Sequence, residues 1–190
     1  MKVALLYGSH RPHRQGIKGA RFVERKLKER DHEVFFIDAM EQNLPVIDKM
    51  YKEYEPGKAP AKLEALAKLY KTIDGFMIVS GEYNHSIPPG LSNLMCPFME
   101  EYFFRPSAIA CYSMGPFGGV RAAMQLRAFL CEVGMPSIST LFPMSMVHQS
   151  FDEDGKALDV SYEKRIKKFL DEFEWYAHAL KDARAKGLPY

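Results

Sequence analysis

The sequence lacks most of the features that name a function outright. It has no paired cysteines: Cys96, Cys111 and Cys131 are odd in number and far apart, with no CxxC and no zinc spacing. A disulfide scaffold and a metal site are set aside, and the thiols are expected to be reduced, small apolar core residues. That usage suits a cytoplasmic protein. No apolar run approaches the length that crosses a membrane. The opening KVALLYG is too short for a secretory apolar region and has no cleavage site behind it, so no leader is expected. An excess of charge is missing too. A net charge of +2 provides no bulk attraction to nucleic acid or to an anionic membrane surface. There is no G-x-x-x-x-G-K-[ST] and no G-x-G-x-x-G, so neither common nucleotide loop is present.

What is there is core. The 190 residues suit one domain, taken as 1–190, and 47% of them are hydrophobic. Short apolar runs at Lys2–Tyr7, Glu33–Ile37, Gly75–Val79, Ser107–Tyr112 and Pro136–Thr140 read as strands. Helical spacing marks Gly16–Arg30, Ala61–Tyr70, Gly90–Tyr102, Val120–Val133 and Tyr162–Ala183, with Pro97 expected to kink or end the third of these. Glu41 to Pro60, with three prolines and a glycine, reads as a long loop or short helical turns.

Strands that are apolar throughout are buried on both faces. Their alternation with helices predicts an α/β three-layer sandwich around a parallel sheet, and five strands favour the flavodoxin-like order 2-1-3-4-5. Such sheets bind ligands beyond the carboxyl ends of the strands, at the switch point between the first and third. The site is therefore expected in the loops after Gly8, Ser80 and Tyr112.

Each of those loops suits a ligand. The first, GSHRPHRQG, runs from a strand end into a helix start, where free N–H groups favour a phosphate. Ser9 adds a hydroxyl, and Arg11 or Arg14 a charged fork; the bland alternative is an exposed basic turn. The second, Glu82-Tyr83-Asn84-His85, sets polar groups beside an apolar strand end, as a planar heterocycle requires; alternatively Tyr83 packs and His85 is a surface residue. The third, YSMGPFGGVRAAMQLR, has glycines that permit close approach to a flat ligand, or it is a plain glycine-rich turn.

These residues resemble the NADPH-dependent FMN reductase family, which includes flavin, quinone and azo reductases on a flavodoxin-like fold. Gly8-Ser9-His10-Arg11 matches its G-S-x-R loop, GEYNHSIPPGLSN its P-E-Y-N-x-S-x-P-G-x-L-K-N, and Gly118-Gly119-Val120-Arg121-Ala122 with Gln125-Leu126-Arg127 its G-G-x-R-A-x-x-Q-L-R. The FDEDGK turn also resembles the family. Three places depart from it: Gly81 replaces a usual proline, Ser92 a usual lysine, and Cys96-Pro97 falls where an I-D-W-like run is common.

The resemblance implies bound FMN, with NADPH or NADH as hydride donor and a small-molecule electron acceptor such as a quinone, azo compound or free flavin. By it, Ser9 and Arg11 hold the phosphate, with Gln15, Gly16 and Ile17 at the helix start. Glu82, Tyr83, Asn84 and His85 run along the ring edge, and Ser113 with Met114, Gly115 and Gly118 closes the other side. No catalytic acid or base and no metal is nominated, because the cofactor carries the chemistry. The family implies a homodimer or homotetramer. Met144, Met146 and His148 are then candidates to reach a neighbour's pocket, and MEEYFFRP reads either as core packing or as a subunit contact. Two rivals are a flavodoxin-type electron carrier and a flavin-free scaffold. Carriers are usually strongly acidic, and a charge of +2 argues against one.

Overall fold

The computed structural model describes residues 1–190. Its frame is a parallel sheet of five strands: β1 (Lys2–Tyr7), β2 (Glu33–Asp38), β3 (Gly75–Ser80), β4 (Ser107–Tyr112) and β5 (Ser137–Met144), in the order β2-β1-β3-β4-β5. The three inner strands are buried along almost their whole length, as their unbroken apolar runs require. Register is regular from Tyr7 beside Asp38 and Val79 to Ser80 beside Cys111, so β1, β2, β3 and β4 end together along one edge of the molecule.

Alternate residues of each strand feed two cores. Ala4, Leu6, Phe76, Ile78 and Ile109 face α3 (Ala61–Thr72), α4 (Pro89–Met95) and α5 (Val120–Glu132). Val3, Leu5, Met77, Val79 and Ala108 face α1 (Gly16–Lys28) and the long α7 (Val160–Ala185), where Phe22, Phe169 and Phe173 are wholly buried. Helices on both faces make the three layers. The two remaining helices, α2 (Ala39–Gln42) and α6 (Val147–Ser150), are single turns that periodicity is too short to reveal.

Differences from the sequence reading have local causes. Helix α1 stops at Lys28 because Asp31 turns left-handed (φ 59°). Helix α4 ends at Met95, before Pro97, and a 3-10 turn at Glu100–Tyr102 follows. Strand β5 runs on to Met144 through Pro143, which an edge strand tolerates because one side of its ladder is unpaired. Helix α7 starts earlier, at Val160, where the Asp159 carboxylate accepts the Ser161 N–H (2.8 Å).

Two expectations need correcting, and in a third place an open choice is narrowed. Cys111 is buried, but Cys96 is half-buried and Cys131 exposed on α5, so the thiols are not all core residues. Met144 is wholly buried against Gly19 and is not available to a neighbouring subunit. In MEEYFFRP, Tyr102 packs into an aromatic core with Tyr70, Phe76 and Phe98, at centroid distances of 5.5, 5.2 and 6.3 Å. Phe103 and Phe104 close on Tyr190 near the chain end.

Candidate functional site

The switch point is made by two glycines. A Cβ on Gly8 would stand 2.3 Å from Leu91 Cβ, and one on Gly90 would stand 2.6 Å from the Gly8 carbonyl oxygen. The end of β1 and the start of α4 thus meet backbone to backbone, which side chains would forbid.

Beyond Gly8 the chain loops through Ser9 to Gln15 into α1. Arg14 is not the free phosphate fork that composition allows. It donates to both oxygens of Asp38 (2.6 and 2.5 Å) and to the Ser9 carbonyl (3.0 Å). Arg11 stays exposed, its guanidinium 5.5 Å from the centre of the Tyr83 ring, and so bridges the first loop to the second. Helix α1 opens without a side-chain cap on Gln15 and without an acidic residue in its first turn. Its leading N–H groups and its positive dipole end remain available to an anion.

The second loop is a tight hairpin. Tyr83 and Ser86 exchange both backbone hydrogen bonds (3.0 and 2.9 Å) around Asn84 and His85, which are left-handed at φ 50° and 63°. Positive φ at both central positions defines a type I′ turn, a conformation Asn and His adopt more readily than most residues. The third motif fastens this hairpin. Glu82 accepts from the N–H groups of Arg121 (3.0 Å) and Ala122 (3.2 Å) and from the Arg121 guanidinium (3.3 Å). It thereby supplies the cap that Gly119, left-handed at φ 80°, cannot give α5. Gln125 accepts from the Ser86 hydroxyl (2.7 Å) and donates to the His85 carbonyl (3.0 Å).

The third loop is stapled from within. Ser113 Oγ donates to the Gly115 carbonyl (2.8 Å) and accepts from the Gly118 N–H (2.9 Å). Ser145 Oγ and the Met146 N–H hold the Pro116 and Gly115 carbonyls from the end of β5. Phe117 projects outward beneath Arg121, 4.3 Å from guanidinium carbon to ring centre.

The loops line one cleft that is open to solvent. Ser9, Arg11, Gln15 and Gly16 line it from the first loop, Glu82 and Tyr83 from the second, and Ser113 and Met114 from the third. The other expected residues do not line it. Ile17 packs its side chain against the core between α1 and the sheet, Asn84 and His85 are exposed at the hairpin tip, and Gly115 and Gly118 shape the loop behind Met114.

Arg14 lines the cleft as well, and sequence reasoning missed three further lining residues, His13, Gly81 and Tyr112. Tyr112 is the informative one. Its ring is so close to two backbones that a Cβ on Gly16 would stand 2.1 Å from Cζ and one on Gly81 3.0 Å from it. The glycine that breaks the family pattern at 81 thus makes room for the tyrosine that ends β4. Burial pushes the Tyr112 phenol up, with the neighbouring Tyr7 and Ser9 hydroxyls acting in the other sense. Burial raises Tyr7 further, and the adjacent Tyr112 adds to it. Both phenols stay protonated at neutral pH.

The charges around the cleft are one-sided. Asp38 is taken by Arg14 and Glu82 by α5, so both nearby carboxylates are occupied. Arg11, the Ser9 hydroxyl and the α1 amides remain, a donor set that suits a phosphate monoester.

A family model described as NADPH-dependent FMN reductase matches residues 1–149. The chain belongs to that family. Among curated family relatives, the quinone reductase of Escherichia coli (strain K12) is 39% identical over 75 residues, covering 37% of this chain and 40% of the relative. The chain therefore aligns with only about two fifths of the length of the curated relatives it matches.

Solved structures extend the likeness of fold to nearly the whole chain. FerB, a flavoenzyme NAD(P)H:(acceptor) oxidoreductase from Paracoccus denitrificans, superposes with a TM-score of 0.71 at 20% identity, covering 95% of this chain and 97% of that one. An oxidoreductase from Corynebacterium diphtheriae gives 0.73 at 14% identity over 94% and 97%. A flavodoxin from Pseudomonas aeruginosa, solved as a single-cysteine mutant, gives 0.54 at 19% identity over 95% and 99%. The sheet order is the flavodoxin-like one.

Proposed function

We propose that this chain is an NAD(P)H-dependent oxidoreductase that holds FMN in the cleft and passes reducing equivalents to a small organic acceptor. The observation that carries this reading is the interlock of the three loops. Their side chains are spent on one another, while an uncapped helix start, a buried serine and a free arginine face a common space. Such a space is preorganised for an anionic, planar ligand.

In this reading Ser9, Arg11 and the N–H groups of Gly16 and Ile17 hold the phosphate. The backbone of Glu82 and Tyr83 follows the ring edge, held by the Asn84-His85 turn beyond it, which Arg121 and Gln125 fix. Ser113 and Met114 form the facing wall, and Gly115 and Gly118 shape the loop behind it. Bound FMN supplies the redox chemistry, taking hydride from the nicotinamide and giving electrons to the acceptor. No side chain is assigned as acid or base: Glu82 has both oxygens occupied, and His85 is exposed at the hairpin tip, outside the cleft lining. Similarity to the E. coli quinone reductase favours a quinone over an azo compound or free flavin as acceptor.

Met114, Phe117, Met124 and Met146 are all exposed, and we propose that a second copy of the chain covers them. We therefore assign a homodimer or homotetramer, which a monomer in sedimentation would overturn. No helix is long and apolar enough to cross a membrane, and the thiols are free, in keeping with a cytoplasmic assignment.

The deciding measurement is the absorbance spectrum of the purified, flavin-reconstituted protein, before and after NADPH is added without oxygen. Oxidised-flavin bands that NADPH bleaches are the expected result. A protein that takes up no FMN overturns the reading, and one that binds FMN but is reduced by neither NADPH nor NADH is an electron carrier instead.

A further inference from the structure

Strand β4 ends in a phenol at the floor of the cleft. A Cβ on Gly16 would stand 2.5 Å from Tyr112 Oη, and one on Gly81 3.1 Å from it. The hydroxyl therefore lies in the gap between the first turn of α1 and the end of β3, and Tyr112 is only 8% exposed. Behind it stands Tyr7, with ring centres 6.2 Å apart. Tyr7 is wholly buried, and its hydroxyl has no aligned hydrogen-bond partner in the protein. Ser9, 3% exposed, adds a third hydroxyl at the same place.

A hydroxyl carries one donor and two acceptor sites, so buried hydroxyls that bond only to one another in a chain leave a single donor over, at the end of the chain. An unmatched buried hydroxyl is costly, and a native fold rarely retains one without a use. The two acids nearest the cleft are unavailable, since Asp38 is bound by Arg14 and Glu82 by the start of α5. The missing partner is an acceptor, and the open α1 amides above the hydroxyls make it an anionic one.

We propose that Tyr112 Oη donates a hydrogen bond to the flavin's phosphate, with Tyr7 positioned behind it to orient that bond, so that the cleft selects FMN over riboflavin. This rests on the FMN reading above. Gly16 and Gly81 are the space Tyr112 needs to reach that position, which gives the departure at Gly81 a purpose in ligand choice.

The test is a titration of wild-type protein, Tyr112→Phe and Tyr7→Phe with FMN and with riboflavin, each followed by flavin fluorescence. Phenylalanine keeps the rings that fill the slot, and thermal melts check that each variant is folded. Tyr112→Phe is expected to weaken FMN by about ten-fold or more, as for a hydrogen bond to a charged group, and to leave riboflavin unchanged. Tyr7→Phe should act in the same sense and less strongly. If Tyr112→Phe weakens both flavins equally, or neither, the assignment is overturned while the FMN reading stands. If the wild-type protein binds neither flavin, the FMN reading falls and the assignment with it.

Discussion

Arg14 holds Asp38 in a two-pronged ion pair, 2.6 and 2.5 Å, and the Asp38 side chain is 1% exposed. The same carboxylate caps α2 through the Met40 N–H (3.0 Å), so one buried contact joins the first site loop to the end of β2. Removing one partner strands a buried charge. Arg14→Ala is expected to cost about 3–5 kcal/mol in a denaturant titration. A cost of less than about 1 kcal/mol would mean the pair behaves as a surface contact.

Glu82 does a helix cap's work from a different loop. Glu82→Ala should cost about 1–2 kcal/mol and expose the Arg121 and Ala122 amides to faster hydrogen exchange. Glu82→Gln keeps an acceptor oxygen and should lose less. Unchanged exchange at both amides in the alanine variant would refute the capping role.

Arg11 is exposed and makes no ion pair, so its removal should leave the fold intact. Arg11→Ala is expected to weaken FMN by about 1.5–3 kcal/mol with little change in melting temperature. Equal affinity for FMN in the variant would move the phosphate away from Arg11.

Asp74 gives the acid limb of stability a definite sign. Burial alone would raise its pKa, but the Lys2 N–H (2.9 Å), the Lys181 ammonium (3.0 Å) and Arg184 more than offset this. The carboxyl therefore titrates below its ordinary 3.8. The unfolded chain binds that proton more readily than the native one, so stability rises with pH there. The contribution is complete above the ordinary carboxyl range and is lost as pH falls through the lowered native value. Asp74→Asn should flatten the decline in urea midpoint between about pH 5 and pH 3. A slope identical to wild type would exclude Asp74 as its source.

The thiols should react in order of exposure. Cys131 is open to reagent and Cys96 partly so, whereas burial pushes the Cys111 thiol up to about 12. Native protein should be modified first at Cys131, slowly at Cys96 and at Cys111 only on unfolding, as peptide mapping after a timed alkylation would report. Early labelling of Cys111 would mean that β4 opens in the native state.

The sheet was legible because strands buried on both faces leave unbroken apolar runs, as Phe76 to Val79 does. From the sheet order alone the cleft could be placed, since the switch point follows from topology. What escaped was anything decided by contacts across the chain. Nothing near Arg14 in sequence announces Asp38, and nothing at Gly81 announces Tyr112. The extension of β5 through Pro143 was hidden for a related reason: a proline is admissible only on an edge, and edge position is a property of the whole sheet.

The Asn84-His85 turn is tied at both ends, by its own backbone pair and by Glu82, Ser86 and Gln125. A loop held this way has little conformational freedom left to lose when a ligand arrives. Its ordering entropy is settled during folding, so association need not wait for the loop to find its shape. Discrimination between ligands then rests on how well each fits a wall that does not yield. Loosening the wall, for instance with Gln125→Ala, should therefore slow capture of the right ligand and also blur its distinction from wrong ones.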